Sequence, residues 1–125
     1  MNFTGTRDKL KGLLLGCGRA SRTGINEVCT SKADVPSSLP AGILQLASRH
    51  GEVKLMTGYA NQKYRFDIFI VLDECENADE QMIEIIENID KSIQDAFFVE
   101  IDKVEIYDSL LSAKSIKVAK FEVVV

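Results

Sequence analysis

A strongly apolar strand that leads into an acidic amphipathic helix occupies residues 64–97 and constrains the fold more than any other part of the chain. Successive side chains of a strand point to opposite faces, so alternate positions identify the buried face. On one face of this strand every residue is apolar: Phe66, Ile68, Ile70 and Leu72. The other face changes from polar at Arg65 to apolar at Val71. This pattern predicts a central strand, or one covered on both faces.

A long helix is predicted after this strand, from Asp79 to Phe97. Asn77 is a candidate N-cap, and Glu80 follows three residues later, as in a capping box. The residues at spacings of three and four form one apolar stripe: Met82, Ile85, Ile86, Ile89, Ile93 and Phe97. The opposite side is charged: Glu80, Glu84, Glu87, Lys91 and Asp95. Packing of the stripe on a sheet, rather than pairing of surface charges, is therefore expected to hold this helix.

The remaining pattern predicts a single domain over residues 1–125. Thr6 is a candidate cap for a short helix from about Arg7 to Cys17, and residues 18–38 form an irregular basic loop segment. Strands are predicted at 39–47, 53–59, 65–72, 99–107 and 115–125, with turns at 49–52 and 60–63. Short connections favour antiparallel pairing. The expected fold is α+β: a mostly antiparallel sheet of four to five strands, one long helix packed across it, and a short N-terminal helix.

Length, hydropathy and cysteine usage exclude several classes of protein. No apolar run approaches the roughly 18 residues of a membrane span. The run Leu13–Leu15 is shorter than the roughly 7–15 apolar residues of a signal peptide, which favours a cytoplasmic protein. The three cysteines are Cys17, Cys29 and Cys75, and no Cys-x-x-Cys pair occurs among them. Reduced thiols are therefore expected, rather than a disulfide framework or a zinc site.

No residue pattern predicts catalysis, a cofactor or a metal ion. The glycine-rich run at 16–21 has neither the preceding strand nor the following helix of a dinucleotide-binding loop. His50 is the single histidine, and it falls in a predicted turn with no nucleophile motif nearby. The acids at 73–80 can attract a hard cation such as calcium, but they lack the spacing of an EF-hand. The chain is therefore expected not to be an enzyme.

Charge is distributed very unevenly along the chain, whose net charge is −4. Residues 1–72 contain ten Lys or Arg against five Asp or Glu, whereas residues 73–97 contain nine acids and Lys91 alone. One interpretation is an ordinary solvated helix face. The other is an interface in which the acidic helix of one copy meets the basic part of the next. The residues of this hypothetical interface are Glu80, Glu84, Glu87, Asp95, Arg19, Arg22 and Lys32. An isoelectric point near 5.0 and the lack of interleaved aromatic residues argue against specific recognition of nucleic acid.

Several segments together resemble the small tail-terminator and tail-completion proteins of tailed bacteriophages. These segments are the opening of the sheet at 38–44, the strand at 65–71, the helix at 79–97 and the closing pair at 104–108 and 120–124. The similarity covers most of the chain from about Leu39 to Val125, and it is one of pattern rather than of a single motif. Residues 18–38 take no part in it.

The resemblance implies a non-enzymatic virion protein of the tail or neck, assembled in the host cytoplasm. Such proteins form a homo-oligomeric ring, commonly a hexamer, that ends the tail tube and joins it to the head connector proteins. In such a ring, Val123 and Val125 are expected to pair at a sheet edge with a neighbour, and an acidic lumen lets DNA pass without binding. The alternative is a small cytoplasmic α+β binding or regulatory module without catalytic activity, which grips a ligand or partner with its sheet face.

Overall fold

The described part of the chain forms two helices and a five-stranded sheet. A computed structural model describes residues 3–19, 25–30, 36–55, 58–101 and 103–125, and at 17–19, 49–55 and 58–62 it describes the backbone alone. The elements in chain order are α1 (Phe3–Arg19), β1 (Glu27–Cys29), β2 (Ala41–Leu55), β3 (Gly58–Asp73), α2 (Ala78–Phe97), β4 (Val104–Leu111) and β5 (Lys114–Val124). The strand order is β1-β2-β3-β5-β4, in which only the β1–β2 pair is parallel. The predicted α+β class is confirmed.

Both helices pack on the same face of the sheet, which we call the helix face. The residues of β3 that were predicted to be buried, Phe66, Ile68, Ile70 and Leu72, are at most 1% exposed. The stripe of α2 that packs against them consists of Met82, Ile85, Ile89 and Ile93. Leu10 and Leu14 of α1 complete this core. The position of β3 between β2 and β5 confirms the prediction of a central strand. Within the described residues, no helix is long and apolar enough to cross a membrane.

The two turns predicted at 49–52 and 60–63 are wrong, because β2 and β3 continue through them. Gly51 pairs with Gln62, and the ladder extends as far as Leu55 opposite Gly58. One irregularity in register lies between Leu46 and Ser48. The strands that were predicted separately at 39–47 and 53–59 are therefore one strand and the start of the next. They form a long hairpin whose outer part, residues 48–55 and 58–64, we call the arm.

Strand β1 lies inside the segment that was predicted to be irregular. Its residues pair with the start of β2, and the N–H of Asn26 donates to the Pro40 carbonyl at 2.8 Å. The Ser37 hydroxyl and the N–H groups of Ser37 and Ser38 donate to the Glu27 carboxylate at 3.0–3.2 Å. These hydrogen bonds lower the pKa of Glu27, with the Ser37 hydroxyl contributing most. A three-residue strand therefore depends on a side chain rather than on a long apolar pattern.

The helix boundaries differ from the prediction at their N-terminal ends. Helix α1 begins at Phe3, so Thr6 is a buried residue inside the helix and not its cap. Asn77 does occupy the N-cap position of α2, but its side chain makes no capping hydrogen bond, so the predicted capping box is absent. Its carbonyl accepts the N–H of Gln81 at 3.0 Å. At the other end, the φ of 59° at Phe98 terminates α2.

The last two strands form a tight hairpin, in which β4 extends to Leu111 and β5 begins at Lys114. The strand predicted at 99–107 starts only at Val104, and Asp102 within the predicted range lies outside the described residues. Ser112 and Ala113 have φ values of 51° and 65° between β4 and β5. Two residues of positive φ are typical of a type I′ turn, which normally contains Asn or Gly. The sequence lacks that signal, so the turn was not predicted.

Candidate assembly surfaces

The acidic side of α2 is a continuous exposed surface. Glu80, Glu84, Glu87 and Asp95 are all exposed there, and Ile83 beside them is 47% exposed. The structure thus brings together the four acids that were assigned to an interface. Of the basic residues assigned to the interface, Arg22 and Lys32 lie outside the described residues, and Arg19 is described by its backbone alone at the end of α1.

The C-terminal valines do not form the outermost edge of the sheet. Strand β5 lies between β3 and β4, and Val123 is opposite Phe66 and only 2% exposed. Val125 exchanges both backbone hydrogen bonds with Tyr64, at 2.8 and 2.9 Å. Strand β4 accompanies β5 only as far as Phe121, opposite Val104, so the hypothesis that this end of the sheet pairs with a neighbour stays a prediction. Val123 belongs to the core.

Strand β4 is the exposed edge that the sequence reasoning missed. It is paired on one side only, with β5, and it is the last strand in the sheet. Three of its large side chains are exposed: Ile106 (41%), Tyr107 (42%) and Leu110 (69%). Most proteins protect such an edge with charge, proline or a covering segment, because an unpaired edge attracts other strands. Strand β4 contains no proline.

The face of the sheet opposite the helices, which we call the open face, has its own apolar cluster. Val71, Ile116 and Val118 are buried there, and no helix residue belongs to the cluster. The residues that shield them are half-buried: Leu39, Ile43, Phe69 and Leu111. The alternation of β5 explains this arrangement. Its register with β3 is continuous, and apolar residues lie on both of its faces.

Two of the acids that were considered for a cation site, Asp73 and Asp79, are paired with lysines. Asp79, in the first turn of α2, lies 2.5 Å from the Lys117 ammonium on β5, and Asp108 on β4 lies 3.5 Å from it. The hydrogen bond to Asp79 is the main cause that raises the pKa of Lys117, whose side chain is 14% exposed. A hydrogen bond with Asp108 raises the pKa of Glu74. This cluster therefore joins the start of α2 to the β4–β5 hairpin.

Replacing Lys117 with Met is expected to lower the melting temperature at pH 7, because Asp79, Asp108 and Glu74 lose the cation they surround. The raised pKa of Lys117 means that its contribution is present below its ordinary pKa and is lost as pH rises through the folded value. Thermal unfolding monitored by circular dichroism between pH 3 and 11 measures the difference between the two proteins.

The matched control for this variant is Lys114→Met. Lys114 contacts Asp73 alone among the described pairs and is 65% exposed, so its removal is expected to have a smaller effect. Equal losses of melting temperature for Lys117→Met and Lys114→Met at pH 7 contradict an electrostatic role for Lys117.

A shallow cleft lies where β4 begins and β5 ends. Its volume is about 580 Å³, and lysines and glutamates alternate along its walls. The charged lining residues are Lys63, Glu100, Lys103, Glu105, Lys120 and Glu122. The balance of charge gives no preference for an anionic or a cationic ligand. Among the described residues, no group of His, Cys, Asp and Glu is arranged to hold a metal ion, and Cys29 and Cys75 are not in disulfides.

Comparison with known proteins gives no family for this chain. No family model matches it, and no curated protein matches it.

Proposed function

We propose that this chain is a structural subunit of a bacteriophage tail or neck. In this proposal it forms a homo-oligomeric ring that ends the tail tube and joins it to the head connector. The resemblance in sequence pattern suggests the setting, and the exposed β4 edge is the observation that carries the assembly role. Ile106, Tyr107 and Leu110 place apolar surface on that edge, next to backbone groups that have no strand alongside within the described chain.

The placement of the exposed surfaces supports a repeated assembly rather than a closed pair. The β4 edge, the acidic side of α2 and the open face lie on different sides of the fold. A ring needs each subunit to present two different surfaces to its two neighbours, whereas a two-fold dimer uses one surface twice. The remaining surface is then available to the tail tube and connector proteins. If the acidic side of α2 faces the channel, its charge repels the phosphates of passing DNA.

The solution mass tests this proposal directly. Light scattering on a sizing column, at low and at high salt, is expected to give a closed oligomer of about six subunits of this 13.9 kDa chain. If charge pairing contributes to the interface, the oligomer weakens as salt screens surface charge. A strict monomer at all concentrations and salt levels contradicts the proposed self-assembly.

A double charge reversal tests whether the acidic side of α2 belongs to the subunit interface. Glu84→Lys with Glu87→Lys is compared with Lys91→Glu, which lies on the same helix and makes the side more acidic. If this side meets a basic neighbour, the double reversal reduces the mass at low salt and Lys91→Glu does not. An oligomer that survives the double reversal at low salt contradicts this hypothesis.

A binding or regulatory module is the second candidate function. The observation that favours it is the cleft beside β4 and β5, which is large enough for a small ligand. A monomer that captures a specific partner or metabolite supports this candidate over the ring.

A further inference from the structure

We infer that copies of this chain join by strand addition: β4 of one copy pairs antiparallel with β2 of the next, along the stretch of β2 beyond Ile43. The inference rests on the self-assembly proposed above and names the two surfaces that meet. Both are unpaired edges of the same sheet, on opposite sides of it. Strand β1 covers β2 only from Ala41 to Ile43, and no other strand of the described chain lies along the remainder.

The hydrogen-bonding groups of β4 that point away from the sheet can be identified from its register. In an antiparallel pair, opposite residues alternate between exchanging both backbone hydrogen bonds and exchanging none. Tyr64 and Val125 exchange both, so the odd-numbered residues of β5 bond to β3 and the even-numbered residues bond to β4. Lys120 and Val118 therefore bond Glu105 and Tyr107. The outward groups of β4 belong to the residues between and beside these two: Val104, Ile106, Asp108 and Leu110.

The arm needs a further strand more than any other part of the sheet. Strand β5 accompanies β3 only to Arg65, opposite Val124, and the Tyr64–Val125 pair ends that contact. Beyond it, residues 49–55 and 58–63 form a ladder of two strands. A two-stranded hairpin is at best marginally stable in water, and a third strand is normally required. Strand β4 has eight residues, and the stretch of β2 from Leu44 to Leu55 is long enough to pair with all of them.

Strand direction and the layer arrangement suit this pairing. Each neighbouring pair from β2 through β3 and β5 to β4 is antiparallel, so β4 runs opposite to β2. Because β4 lies level with the start of β2, a second copy in the same orientation must also be shifted along the strands to bring its β4 antiparallel to β2 beyond Ile43. The two helix layers then lie on the same side of a continuous sheet. Because the two surfaces differ, the contact repeats from copy to copy, as a ring requires.

The charges on the strands favour pairing of β4 with β2 of a neighbouring copy over pairing of β4 with a second β4 strand. Strand β4 contains Glu105 and Asp108, and both side chains are more than half exposed although Lys103 and Lys117 lie near them. Two β4 strands paired with each other would bring four acids together. The stretch of β2 from Leu44 to Leu55 instead contains Arg49 and Lys54 against Glu52. Opposite charges on the two edges favour the heterologous contact over the two-fold one.

The test compares two substitutions of Ile106. Ile106→Ala and Ile106→Pro both remove the exposed side chain, but only proline removes the outward N–H. Proline is tolerated at an edge strand where the N–H faces solvent, so the monomer is expected to fold, as circular dichroism can verify. Measured by light scattering over a dilution series, Ile106→Pro is expected to raise the midpoint dissociation concentration at least about tenfold relative to Ile106→Ala.

A charge exchange provides the second measurement if Ile106→Pro fails to fold. Glu105→Lys is expected to weaken the oligomer at low salt, and adding Lys54→Glu in the same chain is expected to restore it at least in part. Equal dissociation of Ile106→Pro and Ile106→Ala, with the proline variant folded, overturns the inference and leaves the proposed assembly standing. A Glu105→Lys oligomer that is as stable as the wild-type oligomer also overturns the inference and leaves the proposed assembly standing. A wild-type chain that is always monomeric overturns both the inference and the proposed function.

Discussion

Replacing Phe66 with Ala is expected to lower the free energy of unfolding by about 3–5 kcal/mol. Phe66 is fully buried on the helix face of β3, and its ring stacks on Phe3 of α1 with 6.0 Å between centroids. The same side chain lies between Leu46 on β2 and Val123 on β5, its partners in the two ladders. Truncation therefore leaves a cavity at the point where α1 and three strands meet. Small movements of one neighbour cannot fill such a cavity.

The free energy lost in Phe66→Ala is a large fraction of the total stability of a domain of this size, which is typically about 5–15 kcal/mol. Urea denaturation followed by circular dichroism measures it as a shift of the midpoint at unchanged slope. Phe98→Ala is the matched control, because the Phe98 side chain is 90% exposed just after α2. That variant is expected to change stability by less than about 0.5 kcal/mol. Equal effects of the two substitutions contradict the placement of Phe66 in the core.

The parts of the fold that were predicted correctly have strong local patterns. Strand β3 has four apolar residues at period two, and α2 has an apolar stripe at spacings of three and four. Each pattern extends over several turns or residue pairs, so burial of one face is the only arrangement that satisfies it. That was sufficient to place the long helix across the sheet. It was also sufficient to identify β3 as central, because its second face becomes apolar at Val71.

The elements that were missed depend on contacts between distant residues. Gly51 resembles a turn residue, but it pairs with Gln62 inside a long ladder. Strand β1 is only three residues long, and the Glu27 carboxylate fixes it to the segment before β2. The turn at Ser112 and Ala113 lacks the residues that normally signal positive φ. In each case tertiary pairing decided the conformation and local propensity did not.

The candidate surfaces likewise include one that a local pattern predicts and one that depends on contacts between distant residues. The acidic side of α2 follows from helical periodicity, so the sequence was enough to identify it. The β4 edge follows from strand order, which becomes known only when β5 is placed between β3 and β4. For the same reason Val123 was assigned to an edge although it is buried. The pairing of Asp79 with Lys117 joins residues that are far apart in the chain, and no short motif predicts it.

Replacing Leu14 with Ala is expected to lower the free energy of unfolding by about 2–5 kcal/mol. Taken alone, the sequence makes α1 short and marginal, yet its Leu14 side chain is only 1% exposed. A Cβ atom built on Gly42 of β2 lies 3.9 Å from Leu14 Cδ1, which shows how closely the helix approaches the sheet. At the other helix, the Lys9 ammonium lies 4.6 Å from the centre of the Phe97 ring. Helix α1 is therefore an integral layer of the core.

Gly12→Ala on the same helix is the control, and it is expected to act in the opposite direction. Gly12 is exposed inside α1, and a Cβ added there meets nothing within 4 Å. Alanine at such a position favours the helix by about 0.8–1.0 kcal/mol relative to glycine. Urea denaturation of the two variants separates helix formation from docking on the sheet. If Leu14→Ala changes stability by less than about 0.5 kcal/mol while Gly12→Ala stabilises the protein, then α1 forms as a helix but its packing on β2 contributes little. That outcome contradicts the role assigned here to Leu14.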